Sequence, residues 1–557
     1  MTLIPPTHRS TPTERQDMNH SPAASRRRTS LVRLAAVVAA ASLALVGCAT
    51  TPGEPVADDG PIASFTYGIP TPPSSLDLTK SMTGWTSAVT TLVTQQLERF
   101  DSEGNATPVL ATNVATPDAT TVVYTLREGV TFSDGSPLKA EDVVASFERA
   151  TDVAAFAQTA SILTAFQSAE ATGDLEVTVK LSHPDPAIRG SIAFGVNVAK
   201  AAAAQEAGVD FGTANGLPIG TGPYVYTSFE ATEVALAVNP EYWGEAPRIQ
   251  ELTFAGFDTD NTAQLAMRSG SLQAHYVNAP KSTEQWAAIP GATVHSTPSL
   301  FSTFLSFDTT RAPFDDEHAR RAIAHLLDRE ALAQVVYGSQ AEVMRAMAPD
   351  AEFVPLAGSE LESTLAGLTQ YEFDVEAAAA ELALSATPEG FAIEVPYPTS
   401  EPFAEPVLLS LQQAAAPLGI EITLTPLGFV EWVTAIYGFQ TTELGVFMLG
   451  DLQPDPNGGM ALMVGAANVG PTKFNVASWA PAELEPAITA MTQGSDTAER
   501  WGATKEIIEA AAEQLPYVPL FAPNTVLVYA EGYGSAVTPD FMSFISGAWL
   551  DDLTTTE

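Results

Sequence analysis

The sequence predicts an α/β protein spread over two or three hydrophobic cores. Short runs rich in β-branched and aromatic residues, among them 62–67, 121–126, 177–181 and 301–308, alternate with stretches whose apolar residues recur every three or four positions. Apolar residues make up 45% of the chain and charged residues 16%, the balance of a folded protein. The roughly 510 residues after position 47 of this 557-residue chain exceed what one core supports.

The first 47 residues read as an address. Arg26, Arg27, Arg28 and Arg33 lead into an apolar run at 34–46. As a helix at about 1.5 Å per residue this run reaches roughly 20 Å, short of the roughly 30 Å hydrocarbon core of a membrane. It therefore reads as the apolar part of a secretory signal. Gly47 and Cys48 follow, and Cys48 is the only cysteine of the chain. The pair resembles the lipobox of bacterial lipoproteins, which implies acylation of Cys48 and its exposure as a new N-terminus. Two acyl chains hold a protein on a membrane where one barely does. A free or buried cysteine is the alternative, and it leaves the basic and apolar tract without a purpose. Residues 26–31 also loosely match a twin-arginine export signal, with Ser30 where a bulky apolar residue is preferred. The expected location is outside the cell, on the outer face of the cytoplasmic membrane, anchored without spanning it. Residues 48–61, rich in Pro, Gly, Asp and Glu, read as a flexible tether.

Charge excludes one class of function. Residues 1–47 hold 6 of the 25 basic and 2 of the 66 acidic residues, so the remainder carries a net charge of −45. No basic patch exists to release phosphate counterions, which argues against nucleic-acid binding. One cysteine also means no disulfide framework and no thiolate metal site.

In chain order, a strand is expected at 62–67 and a helix at 89–100. Residues 121–126 form a strand and Asp134-Gly135 a turn. Glu141 and Asp142 then begin a helix whose buried face carries Val143, Phe147 and Ala150. A second strand covers 177–181. Gly220 and Gly222 lie in a tight turn before a strand, since no Lys-Ser/Thr follows them as in a phosphate loop. A strand at 301–308 precedes a helix with Ala319, Ala322, Ile323, Leu326 and Leu327 on one face. Asp328 caps the next helix, which Gly338 ends. Another helix opens at 371–374, and 417–424 is a helix end running into a strand.

The segment 108–143, P-x-L-A, strand, L-R-x-G-V-x-F-x-D-G-x-P-L-x-A-E-D-V, closely resembles the extracellular solute-binding proteins of peptide, dipeptide and nickel ABC importers (solute-binding protein family 5). Ser133 stands where this family often has His, and Lys139 where it has a capping Thr. The resemblance continues through 218–224, 239–247, 313–330 and 515–521. It implies a bilobal periplasmic-binding-protein fold of type II, in the large peptide-binding subclass. Lobe I would cover 62–302, with an inserted subdomain at about 100–215. Lobe II would cover 303–522, and 523–557 would return to lobe I. It also implies a monomer that captures a small peptide, or another solute such as a nickel chelate or oligosaccharide, and delivers it to permease subunits with their ATPases. A surface sensor on the same scaffold is the alternative.

Site residues follow from the same resemblance. In peptide-binding relatives an aspartate in a G-D…D-P stretch holds the ligand's α-ammonium group. Asp451 matches it here and Asp455 comes second; both also read as turn formers before proline. Met448, where relatives often carry Trp, and Trp85 and Phe304 either contact ligand or pack internally. Arg345 either pairs with a ligand carboxylate or stays solvated. Catalysis has no support, because neither H-E-x-x-H nor G-x-S-x-G occurs. No cofactor and no metal site are expected. His318 and His325, seven apart on one helix, lack a third ligand.

Overall fold

In the computed structural model, residues 60–101, 105–438, 443–451, 453–471 and 473–556 are described. Cys48 and the tether up to residue 59 lie outside them.

Ile62–Ile69 forms a central strand because Phe65, Tyr67 and Ile69 bury one face against Phe254, Phe544 and Trp549. It runs parallel to both neighbours, Ile249–Gly256 and Ala274–Tyr276. The full path across this sheet is Thr293–Pro298, Phe521–Tyr529, Ala274–Tyr276, Ile62–Ile69, Ile249–Gly256, Glu233–Val238 and Tyr224–Phe229. Gly68 has to be glycine, since a Cβ there would lie 2.4 Å from the buried His275 Nδ1.

A four-stranded antiparallel sheet, Ala111–Asp118, Thr121–Leu126, Glu176–Leu181 and Phe166–Gly173 in spatial order, packs on helix Ala140–Ala150. Val143, Phe147 and Ala150 are buried, as their spacing predicts. Lys139 makes no side-chain cap; instead its backbone N–H donates to Asp142 Oδ2 at 3.1 Å.

The helix expected at 89–100 is replaced by helix Gly84–Thr90 and a short strand Glu98–Phe100. The carbonyls of Leu92 and Val93, which a helix would need, accept instead from Tyr224 N at 3.1 Å and Gly222 N at 2.9 Å. The hydroxyls of Thr91 and Thr94 bond back to the carbonyls of Ser87 and Thr90, a pattern that weakens helices. The same approach explains the glycine turn. Cβ atoms at Gly220 and Gly222 would lie 1.9 and 2.3 Å from the carbonyl oxygens of Val93 and Leu92.

After Thr293–Pro298 the chain enters a second body through strand Phe301–Phe307, which lies antiparallel between Leu444–Gly450 and Tyr517–Pro519. Alternation along this strand feeds two cores. Leu305 and Phe307 pack with Leu444 and Val446 on one face. Phe304 packs with Phe447 and Tyr517 on the other. The parallel pair Ala392–Pro398 and Glu421–Leu427 adds to the first core, as do helices Glu317–Ala324, Arg329–Val336 and Val375–Leu384. Asp316, Asp328 and Asp374 cap these three helices.

The chain returns from Tyr517–Pro519 through Leu520 into Phe521–Tyr529. The two crossings touch: Leu520 N donates to Thr303 O and Phe521 N to Thr303 Oγ1, both at 2.9 Å, and Ser299 Oγ donates to Pro523 O at 2.5 Å. Paired crossings of this kind suit rotation of one body on the other. Among the described residues, no helix is long and apolar enough to cross a membrane.

Candidate functional site

Asp451 directly follows strand Leu444–Gly450, beside the crossings, and its N–H donates to Leu300 O at 3.0 Å. It is 5% exposed. Its Oδ2 accepts from Gly459 N at 2.5 Å and its Oδ1 from Gln453 N at 3.4 Å. Glycines make this fit possible. A Cβ on Gly458 would lie 2.0 Å from both carboxylate oxygens, and one on Gly450 would lie 2.4 Å from the Phe301 ring.

The rest of the loop is braced. Asp455 accepts two bonds from Arg500, which also donates Nε to Met491 O at 2.8 Å. Gln453 Nε2 reaches Ala187 O at 3.1 Å and Asn457 Nδ2 reaches Asp185 Oδ1 at 2.8 Å. Residues 453–457 thus bridge from the second body to the turn before helix Ile188–Gly195. Burial, and to a smaller extent the Asp455 charge, raises the Asp185 carboxyl above its usual range despite the N–H of Ala187.

A row of half-buried aromatic rings reaches this segment. Trp85 meets Tyr276 edge-on at 4.7 Å, Tyr276 lies 6.2 Å from Phe541, and Phe541 lies 5.0 Å from Phe301, whose ring covers Gly450. Trp85 reaches the row from helix Gly84–Thr90, where Gly84 permits close approach of Phe541. The row therefore leads from the large sheet to the segment holding Asp451. Phe301 brings this row beside Gly450, the residue before the buried Asp451.

The remaining sequence candidates differ in burial and partners. Phe304 is fully buried, 5.3 Å from Phe447 and 5.9 Å from Tyr517. Met448 is 36% exposed, two residues before Gly450. Arg345 pairs with Asp350 and Glu362, which raises its pKa. His318 Nδ1 lies 2.7 Å from Glu381 and His325 Nδ1 2.7 Å from Glu372 O, so these two histidines face different partners. Among the described residues no group of three or more His, Cys, Asp and Glu is placed to hold a metal. A cavity of about 410 Å³ lined by Gln95, Arg99, Tyr242 and Asp551 shares no residue with the aspartate loop.

Sequence reasoning missed Glu352, Gln453, Asn457, Arg500, Phe301, Tyr276 and Phe541. Glu352 had a misleading signal, because a carboxylate in the first turn of a helix ordinarily faces solvent and complements the dipole. Here it is 2% exposed.

The sequence model of the bacterial extracellular solute-binding proteins, family 5 Middle, matches residues 105–471. The chain belongs to this family. It is thus a solute-binding protein of ABC importers and not an enzyme, with the bilobal α/β fold of periplasmic binding proteins. The glutathione-binding protein GsiB of Salmonella typhimurium is 23% identical over 455 residues, covering 80% of this chain and 86% of that relative. The periplasmic binding protein DppA of Helicobacter pylori, solved with the peptide STSA, superposes with a TM-score of 0.78 at 19% identity. That match covers 89% of this chain and 99% of DppA. AgaA of A. tumefaciens R10, solved with agropinic acid, gives a TM-score of 0.75 at 21% identity, covering 89% of this chain and 99% of AgaA.

Proposed function

We propose that this family 5 protein captures short peptides between its lobes, holds their α-ammonium group on Asp451, and delivers them to an ABC permease while anchored through Cys48. The observation that carries this reading is the position of Asp451, a buried carboxylate next to the crossings, at the end of the aromatic row from Trp85 to Phe301. A buried charge of this kind recognises a cation strongly, because water does not compete for it. The lobes divide near 303 and 522, where the paired crossings lie. Capture works by closure, and ligand shifts that equilibrium only through its higher affinity for the closed form. GsiB and DppA support the peptide class; glutathione is itself a tripeptide with a free α-ammonium group. AgaA supports a second reading, a small non-peptide solute in the same cleft.

The test is a thermal-shift and calorimetric screen against di- to octapeptides, glutathione, oligosaccharides and nickel with histidine. Binding at a hundredfold excess over Kd adds about 2.7 kcal/mol of apparent stability. Asp451→Asn is expected to weaken peptide binding by about thirtyfold or more, the effect of removing one partner of a desolvated charge pair. A shift with sugar or nickel chelate alone overturns the peptide reading.

A further inference from the structure

Glu352 lies in the first turn of helix Asp350–Ala357, almost fully buried, with its side chain against Asp451 and its Oε2 without a hydrogen-bond partner. The elements around it bring charges that are already engaged. Helix Thr497–Gln514 presents Arg500, which Asp455 takes in bidentate fashion. The segment before the helix presents Arg345, divided between Asp350 and Glu362. Among the described residues Glu352 forms no ion pair, and its charged neighbours are Asp451 and Asp455. An ionised carboxylate so placed is costly, and two adjacent buried carboxyls settle the conflict by sharing one proton.

We propose that Glu352 and Asp451 form one proton-sharing pair, and that the cationic end of the ligand replaces the shared proton, so that capture releases a proton to solvent. The inference rests on the ammonium-binding reading of Asp451. The exchange balances: the ligand arrives as R–NH₃⁺, the pair passes from one proton to none, and that proton leaves to water. Burial first, then the Asp451 and Asp455 charges, hold the Glu352 carboxyl well above the usual range, the direction that retention of a shared proton requires. The site then selects a cationic group over a neutral isostere and weakens on acidification.

Titration calorimetry with glutathione and with tri-alanine, in buffers of different ionisation enthalpy at one pH, reads the protons released. The expectation is about one proton per ligand for the wild type, and affinity falling about tenfold for each pH unit below the pair's titration range. Glu352→Gln should bind, release none and show a flat pH profile. N-acetylated tri-alanine should neither bind tightly nor release a proton. Binding by the wild type without proton release overturns the pairing alone, as does unchanged release in Glu352→Gln. Undiminished binding by Asp451→Asn, or no binding of either peptide by the wild type, overturns the ammonium reading and the pairing together. Should Glu352→Gln fail to fold, the wild-type proton count decides.

Discussion

Arg500 grips Asp455 with two hydrogen bonds, Nη1 to Oδ2 at 2.9 Å and Nη2 to Oδ1 at 2.5 Å, and so fixes the loop that carries Asp451 to helix Thr497–Gln514. Arg500 is 5% exposed. Removing one partner of such a pair strands the other charge away from water. Arg500→Met is expected to cost about 3 kcal/mol or more, read as a lower urea midpoint. Because the loop loses its brace, peptide affinity should fall as well. A variant as stable as the wild type would remove this structural role.

Trp85 and Phe304 separate by burial into two kinds of aromatic residue. Phe304→Ala empties a filled core position between Phe447 and Tyr517 and should cost about 3–5 kcal/mol in thermal unfolding, with peptide affinity unchanged well below the melting temperature. Trp85→Ala is expected to weaken peptide binding about three- to tenfold, the scale of one aromatic contact. Equal affinity in Trp85→Ala and the wild type would take Trp85 out of the cleft wall.

His275 couples stability to pH. Burial lowers its pKa, outweighing Asp260, whose Oδ1 lies 3.5 Å from Nε2. The unfolded chain protonates this histidine near pH 6.5, while the folded chain resists. Its contribution to stability is therefore present above pH 6.5 and is lost as pH falls through the depressed folded value. In urea unfolding between pH 7.5 and 5, the wild type should lose more stability than His275→Gln. Parallel curves would mean that His275 titrates alike in both states.

The proposed lipid anchor is tested at Cys48. Cells expressing the wild type should incorporate labelled fatty acid into the protein and keep it in the membrane fraction. Cys48→Ser should lose both the label and the membrane association, with peptide binding intact. Label retained in Cys48→Ser would place the anchor elsewhere.

Much of the fold was legible because its signals are local. The strand Thr121–Leu126, the buried stripe Val143, Phe147 and Ala150, and the cap Asp328 each depend on residues within one or two turns of each other. The helix expected at 89–100 failed for a non-local reason: residues more than a hundred positions away claim the carbonyls of Leu92 and Val93.

The sequence alone determined the family, through spaced motifs from 108 to 521, and singled out the G-D…D-P stretch. Such motifs mark turns and caps whose chemistry is contained within the segment. Only the tertiary structure decided what surrounds Asp451. The aromatic row joins residues 85, 276, 301 and 541, Glu352 comes from a separate helix, and Arg500 takes Asp455 from across a core. Burial and pairing of charges depend on which distant segments pack together, and no local pattern encodes that. Glu352 belongs to no sequence motif, and only the fold shows it buried and within reach of the Asp451 charge.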